Sequence, residues 1–275
     1  MSWSLPFITD KPLRMVWKVQ KDASCSYLVG TAHFFPYGFS RSLRRILKDV
    51  DIVLTEGPLD EDSLGQIADN GRDGGFGVNL GELLDPNAVG AINRLLEKRL
   101  AAEDGNRAYL LYPLEKLDYF AMFTQEARLW MAFFSIWTTC LGWEHSVDRE
   151  AYQLALRMGK PVQAIESLQE QLAVLNGISL ERVLRQLGDV RNWDVYQRDY
   201  VRLYLEGSLE QLVSLTNHFP TRTPAAIGER DRVMFSRLKP VFESRRAAAF
   251  IGFPHIPGVR RLFLEDGCQV SQGVG

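Results

Sequence analysis

The stretch Tyr27-Leu28-Val29-Gly30-Thr31-Ala32-His33 decides the fold, because it joins an apolar strand to a glycine turn that ends in a histidine. Glycine lets a chain turn sharply as it leaves a strand, and it lets a ligand approach the backbone. Residues 14–19, upstream, are also rich in branched and aromatic side chains, and a polar link separates the two runs. The pattern predicts a hairpin of residues 14–19 with residues 26–29.

The residues after this turn continue the pattern of an α/β protein. Ser40–Lys48 places its apolar side chains on one helical face, and Asp51–Thr55 is a compact strand candidate. Residues 58–81 are polar and rich in glycine, which predicts a mobile loop or a broken helix. The order strand, turn, helix, strand predicts an α/β fold.

The rest of the chain adds a long helical segment and a second strand-and-helix unit. From Asp85 to about Leu215 the periodicity is helical, with one strand candidate at Pro161–Ile165. No linker-like boundary separates the units, so we expect residues 1–275 to form a single α/β domain. We expect one mixed, mostly parallel sheet with flanking helices and a mainly helical insertion at about 85–160 and 167–220. The last unit is expected to contain a helix over 229–245, a strand over 247–251, a helix after His255 and a short strand over 268–270.

The composition excludes several classes of protein. The chain has 32 basic and 34 acidic residues, a net charge of −2, and no long run of like charge, so we expect no nucleic-acid partner. Its three cysteines are widely spaced and odd in number, which is typical of reduced thiols. The N-terminal residues lack the features of a secretory signal. These observations predict a soluble, cytoplasmic protein.

The stretch Leu129–Trp143 is uncharged, but it is shorter than the ~20 residues that span a bilayer. Its aromatic residues recur at helical spacing, and such a stripe is more typical of a core or an oligomer interface than of a cofactor site. We therefore expect no membrane span and a helix that is buried or faces a partner. A homodimer through this aromatic helix, residues 129–143, is one use of that face. The stripe consists of Trp130, Phe133, Phe134 and Trp137.

Three polar residues follow strand candidates directly. His33 and His255 each end a Gly-x-x-His turn, and Glu56 ends the strand over residues 52–55. Open α/β sheets bind ligands at the carboxyl ends of their strands, so the three side chains are expected to converge. Two imidazoles and one carboxylate suit a catalytic divalent metal that activates water. The alternative is that Glu56 caps a helix or pairs with an arginine, and that each histidine makes only a local hydrogen bond.

Further polar residues could belong to this site. Arg230 could hold a carboxylate or stabilise developing negative charge, with a surface salt bridge as the alternative. Glu166, also at a strand end, could join the site or orient a ligand. His145 and Asp148 are spaced to share a helical face and could bind a metal together, although such pairs are common without that role. The chain has neither a nucleotide-binding glycine motif nor a Gly-x-Ser-x-Gly nucleophile turn.

The order and spacing of several blocks resemble the TraB/GumN family over nearly the whole chain. That family is similar to the Tiki proteins, which resemble metal-dependent proteases, and more distantly to ChaN-like haem-binding lipoproteins and erythromycin esterases. Two positions depart from the family pattern: Asp231 follows Arg230 where asparagine is frequent, and Phe253-Pro254 replaces small residues. The blocks that carry the resemblance are Met15–Val19, Tyr27–His33, Thr55–Gly57, Asp148 with Gly159–Val162, Ile165–Ser167, Glu170–Leu172, Glu229–Asp231 and Gly252–Gly258.

The resemblance implies a shared α/β fold in which paired Gly-x-x-His turns and an acidic residue form the site. It names His33, Glu56 and His255 as metal or catalytic candidates, with Arg230 beside them. The expected assignment is His33, His255 and Glu56 as ligands of a divalent metal ion (zinc, manganese or cobalt), with Glu56 and Arg230 as catalytic residues. The expected function is a metal-dependent hydrolase acting on peptide or amide bonds through a metal-activated water, with a peptide or small molecule as substrate. Glu56 could instead be the general base. The alternatives are a non-catalytic module that binds a peptide or small ligand, and a carrier of haem or metal.

Overall fold

A single six-stranded sheet forms the centre of the protein. The structure is a computed structural model that describes residues 10–21, 24–72, 79–104, 118–223 and 225–273. The strands are arranged in the order β4-β3-β5-β2-β1-β6. Their bounds are Val16–Lys21 for β1, Ser24–Thr31 for β2, Ile52–Thr55 for β3, Val162–Ala164 for β4, Ala247–Gly252 for β5 and Gln269–Gly273 for β6.

The sheet is mixed, with its parallel part at the centre. Strand β5 lies between β3 and β2 and runs parallel to both, and β4 runs parallel to β3. Strands β1 and β2 form the antiparallel hairpin expected from the sequence, and β6 pairs with β1 to close that edge. The α/β fold class and the mostly parallel sheet are therefore confirmed.

Helices make up most of the remaining described chain. The bounds of the first six are Ser40–Lys48 for α1, Glu61–Arg72 for α2, Leu80–Leu83 for α3, Pro86–Asp104 for α4, Tyr119–Thr124 for α5 and Leu129–Leu141 for α6. Those of the other seven are Val147–Arg157 for α7, Leu168–Asn176 for α8, Leu180–Gly188 for α9, Trp193–Glu206 for α10, Leu209–Leu215 for α11, Arg230–Ser244 for α12 and Ile256–Glu265 for α13.

Two hydrophobic cores stabilise the chain. All residues of β3 and β5 are buried, as expected for central parallel strands with helices on both faces. Helices α1 and α7 pack together beside this sheet, and so do α12 and α13. The second core lies in the helical insertion and joins α4, α5, α6 and α9 around large aromatic side chains.

The aromatic helix α6 is buried within its own chain. Trp130, Phe133 and Trp137 are at most 5% exposed, and Phe134 is half-buried. The stripe packs in the second core and beside a cavity, so no exposed aromatic face supports the expected homodimer, which stays a prediction. No helix in the described part of the chain is both long and apolar enough to cross a membrane.

The polar segment after β3 contains more helix than a mobile loop would have. Residues 61–72 form the three-turn helix α2, and residues 80–83 form the short helix α3. Residues 73–78 lie outside the described residues. Gly71 is buried where α2 crosses α6, and a Cβ there would overlap the side chains of Met131 and Trp130. This glycine permits close packing of α2 against α6. Because residues 61–72 and 80–83 are helical, a broken helix describes this segment better than a mobile loop does.

Candidate functional site

The two Gly-x-x-His turns leave neighbouring parallel strands at the same level. Thr31 of β2 pairs with Gly252 of β5, so the turns that carry His33 and His255 begin side by side. The hydroxyl of Tyr204 donates a buried hydrogen bond of 2.7 Å to the carbonyl oxygen of Gly30, which fixes the first turn. Parallel strands present their carboxyl ends at one edge, and this arrangement brings the two histidines to that edge.

The two glutamates at strand ends lie beside these turns. The backbone N–H of Glu56 donates to the carbonyl oxygen of Phe250, and that of Glu166 donates to the carbonyl oxygen of Glu56. These bonds continue the ladders of β5, β3 and β4 past the ends of the strands. Glu56 and Glu166 are therefore held on adjacent backbone segments.

His33 is oriented by Asp148. Its Nδ1 atom lies 2.5 Å from Oδ2 of Asp148, and the other carboxylate oxygen accepts a bond of 2.9 Å from the hydroxyl of Ser146. Asp148 is buried in the first turn of α7, whose N-terminus is fixed by a bond from the N–H of Val147 to the carbonyl oxygen of Ala32. With Nδ1 taken, only Nε2 of His33 remains for a ligand or a proton.

His255 has an equivalent partner, Asp231. Its Nδ1 atom lies 2.6 Å from Oδ1 of Asp231, in the first turn of α12, and both side chains are buried. The other oxygen of Asp231 faces Gly258, where a Cβ atom would overlap it. The carboxylate is therefore fixed between α12 and α13. The aspartate that departs from the family pattern is the residue that orients the second histidine.

Arg230 forms a buried ion pair with two glutamates. Its Nη2 atom lies 2.5 Å from Oε1 of Glu56 and 2.6 Å from Oε2 of Glu166, and its Nε donates to Oε1 of Glu166 at 2.8 Å. The other oxygen of Glu56 accepts the backbone N–H of Gly252 at 2.6 Å, and Gln171 also donates to Glu166. Because the three charged side chains are at most 15% exposed, this is not a surface salt bridge.

Electrostatics keep this site charged. Burial opposes ionisation of Glu56, but His255, Arg230 and His33, together with the N–H of Gly252, outweigh it and hold the pKa of that carboxyl well below its usual range. The negative charge of Asp148 raises the pKa of His33, whose side chain is 55% exposed, to about 9. In the absence of a metal, His33 therefore carries a proton at neutral pH.

One cavity of about 160 Å³ opens between the sheet edge and the helical insertion. Its polar lining includes His33, Glu56, Arg230 and His255, whereas Asp148 and Asp231 lie behind the histidines and do not line it. The opposite wall is aromatic, a composition that is typical of small-ligand sites. That wall includes Phe134, Trp137, Trp143, Tyr196, Tyr200, Phe219 and Phe253.

The two histidines fit a metal better than Glu56 does. Each Nδ1 is held by a carboxylate, the arrangement that orients metal-ligating histidines, and neither Nε2 has a hydrogen-bond partner among the described residues. Both oxygens of Glu56 already accept hydrogen bonds. No group of three His, Cys, Asp or Glu side chains in the described part of the chain is arranged to hold a metal ion. Within these described residues the site thus presents two imidazoles with unpartnered Nε2 atoms, and the roles of His33, His255 and Glu56 as metal ligands stay predictions.

The structure separates His145 from Asp148. His145 precedes α7, where its backbone pairs with Phe35 and its Nδ1 lies 2.6 Å from Oε1 of Glu150. Asp148 points instead to His33. The two residues have different partners, so they do not form the joint metal site considered from their spacing.

Comparison with known proteins identifies the family of the chain. The model of the TraB/PrgY/gumN family matches residues 15–272. The chain belongs to this family. Searches of curated proteins and of solved structures returned no match. In this TraB/PrgY/gumN protein the matched region includes both Gly-x-x-His turns, both glutamates and Arg230.

Sequence reasoning missed the partners of the two histidines. The sequence suggested Asp148 as a partner of His145 and as part of the family resemblance, and Asp231 as a departure whose carboxylate could supply a ligand, but neither as the partner of a histidine at a strand end. A carboxylate in the first turn of a helix is a weak signal, because such residues also stabilise helix N-termini. The pairings depend on tertiary packing across 115 residues for His33 and 24 residues for His255.

Proposed function

We propose that this protein is a hydrolase that cleaves peptide or amide bonds with a water activated between His33 and His255. The observation that carries the proposal is that two histidines from neighbouring strands line one cavity, each with a carboxylate on Nδ1. A histidine oriented in this way has a fixed tautomer and a more basic Nε2. Family membership is consistent with the proposal, since it places both turns within the matched region.

The imidazoles of His33 and His255 would hold a divalent ion such as zinc, manganese or cobalt. Such an ion, held by neutral imidazoles, would supply Lewis acidity and so make water a nucleophile at neutral pH. Asp148 and Asp231 would keep both Nε2 atoms available by accepting the Nδ1 protons. Since His33 is protonated in the metal-free protein, metal binding must release that proton.

Glu56 is the candidate general base of this mechanism. It lines the same cavity as the histidines, and its surroundings keep it ionised at neutral pH, although a carboxylate with so low a pKa is a weak proton acceptor. Arg230 contacts Glu56 and Glu166 rather than an open position, and two carboxylates neutralise its charge. We therefore assign Arg230 the role of fixing Glu56, in preference to stabilising an oxyanion.

A second candidate function, ligand binding without catalysis, is favoured by the aromatic wall of the cavity. Stacked rings of Trp143, Tyr200 and Tyr196 provide a flat apolar surface that would hold a ligand without any chemistry. Haem carriage has less support. A cavity of about 160 Å³ is close to the ~150 Å³ that admits benzene, far smaller than a porphyrin.

The deciding experiment measures the metal content of protein purified without chelator or tag metal, by elemental analysis. We expect about one divalent ion per chain in the natural protein. His33→Ala and His255→Ala should lose it with the fold retained by circular dichroism. The control is His218→Ala, because His218 is exposed and does not line the cavity.

Activity is then measured on a mixture of unstructured peptides, with new termini identified by mass spectrometry. Cleavage should stop after chelation and return on adding metal. If the protein neither retains nor takes up zinc, manganese or cobalt and cleaves no peptide, the hydrolase proposal is wrong. Ligand binding would then be the function to pursue.

A further inference from the structure

A half-buried cation that lines the cavity, Arg222, has no partner in the mechanism above. The Nε–H of Arg222 is inaccessible to water and donates to no hydrogen-bond partner among the described residues. No carboxylate among the described residues forms an ion pair with its guanidinium, whereas Arg230 contacts two. Burial lowers the pKa of Arg222 to about 10, so it remains protonated at neutral pH. A half-buried guanidinium whose Nε–H is cut off from water and unpartnered can be satisfied by an anionic ligand entering the cavity.

The surroundings of Arg222 would accept an anion attached to an apolar group. Its guanidinium lies over the ring of Phe253, 5.0 Å from the ring centre, which fixes its plane. Tyr196 and Tyr200 lie within electrostatic range of it and line the same cavity. Neither tyrosine hydroxyl has a hydrogen-bond partner within the described ranges, and burial raises the pKa of both, so each remains an O–H donor.

We propose that Arg222, assisted by the hydroxyls of Tyr196 and Tyr200, binds a carboxylate group of the substrate. A guanidinium fork matches the two oxygens of a carboxylate, and phenolic O–H groups donate to the same oxygens. The aromatic wall and a cavity volume of about 160 Å³ suit a ring-sized apolar group attached to that carboxylate. The inference rests on the proposed function, because the carboxylate-bearing ligand is taken to be a peptide that the hydrolase would accept.

Binding is tested first, on metal-free protein, with benzoate and benzamide as probes. The two molecules have nearly the same shape, but only benzoate carries a carboxylate. We expect calorimetry or ligand-observed NMR to show tighter binding of benzoate. Arg222→Gln should weaken benzoate binding by about 10- to 100-fold, the usual effect of losing a charge-assisted hydrogen-bonded pair, and leave benzamide unchanged. Metal-free protein ensures that the carboxylate does not bind a metal instead.

Matched variants separate this effect from damage to the fold. Arg222→Lys keeps the charge without the planar fork and should retain part of the affinity. Tyr200→Phe keeps the ring but lacks the hydroxyl, so its affinity for benzoate should fall a few-fold. Arg198→Gln, on the exposed side of α10, should behave as the natural protein. Equal affinity for both probes, or a loss of benzoate binding in His33→Ala but not in Arg222→Gln, would overturn the proposal.

A second set of measurements compares peptides and distinguishes the two proposals. The substrates share one sequence and carry a free C-terminus, a C-terminal amide, or an amide with an acidic side chain near the cleaved bond. Arg222→Gln should raise KM for whichever carboxylate-bearing peptide is preferred, with kcat little changed. If the neutral amide is cleaved equally well, the carboxylate proposal fails and the hydrolase stands. If no peptide is cleaved but benzoate binding depends on Arg222, the hydrolase fails and the carboxylate site stands.

Discussion

The Nδ1 atom of His255 lies 2.6 Å from a carboxylate oxygen of Asp231, which begins the helix that leads into the strand before this histidine. His33 has the same kind of partner, Asp148, although that carboxylate comes from a helix 115 residues later in the chain. Two neighbouring strands are therefore followed by histidines whose Nδ1 atoms are each held by a carboxylate, through unrelated connections. The same histidine–aspartate contact occurs twice, and packing alone would not require both pairs. This indicates that the two carboxylates orient the histidines.

Removing the charge of Asp231 should weaken metal binding without removing a ligand. Asp231→Asn still offers an oxygen to Nδ1 of His255, but the imidazole becomes less basic. We expect metal affinity to fall by about 10- to 100-fold, as with other outer-shell carboxylates. Zinc titration of chelator-stripped protein measures this affinity. The control is Asp194→Asn, on the exposed side of α10. Unchanged affinity in both Asp231→Asn and Asp148→Asn would contradict the role given to these carboxylates.

A substitution at Gly258 tests the position of the Asp231 carboxylate. Gly258→Ala places a Cβ where Oδ2 of Asp231 lies, so the buried side chain must move. We expect a loss of about 1–3 kcal/mol in unfolding free energy, the usual cost of overpacking, together with weaker metal binding. Gly65→Ala, in exposed helix α2 with open space, is the control and should gain about 0.5–1 kcal/mol. Urea denaturation measures both changes, and an unaffected Gly258→Ala protein would refute the contact.

Local patterns predicted which polar residues lie at the strand ends, but not which side chains hold them in place. His33, Glu56 and His255 follow apolar runs, and a residue at a strand end can be recognised from its neighbours alone. The partners Asp148 and Arg230 are brought to them by packing between distant helices, which no local pattern encodes. Helix α2 was harder to recognise because Gly65 and Gly71 weaken its helix signal, while its contacts with α6 compensate.

The ion pair of Arg230 with Glu56 and Glu166 should dominate the stability of the sheet edge. Arg230→Met leaves two buried carboxylates without a counter-charge, and we expect a loss of about 3–5 kcal/mol by urea denaturation. Adding Glu166→Gln should recover part of it, because one of the two charges is then removed. Arg237→Met is the matched control: its pair with Glu170 is 41% exposed on both sides and should cost only about 0.2–1 kcal/mol. Equal losses in the two single variants would show that the Arg230 pair is not buried in solution.

The protonation of His33 makes the stability of the metal-free protein depend on pH. Its pKa is raised from 6.5 to about 9, chiefly by the charge of Asp148, so the pair stabilises the folded state fully below pH 6.5. That contribution is lost as the pH rises through about 9, where folded His33 releases its proton. The difference in unfolding free energy between the natural protein and Asp148→Asn should therefore shrink between pH 6.5 and 9. NMR titration of the His33 ring provides a direct measurement, and Asp148→Asn should lower its midpoint. A midpoint at or below pH 6.5 in the natural protein would contradict the charged pair of His33 and Asp148. The same outcome would contradict the expectation that zinc binding strengthens as the pH rises, because that expectation assumes that zinc displaces a proton from His33.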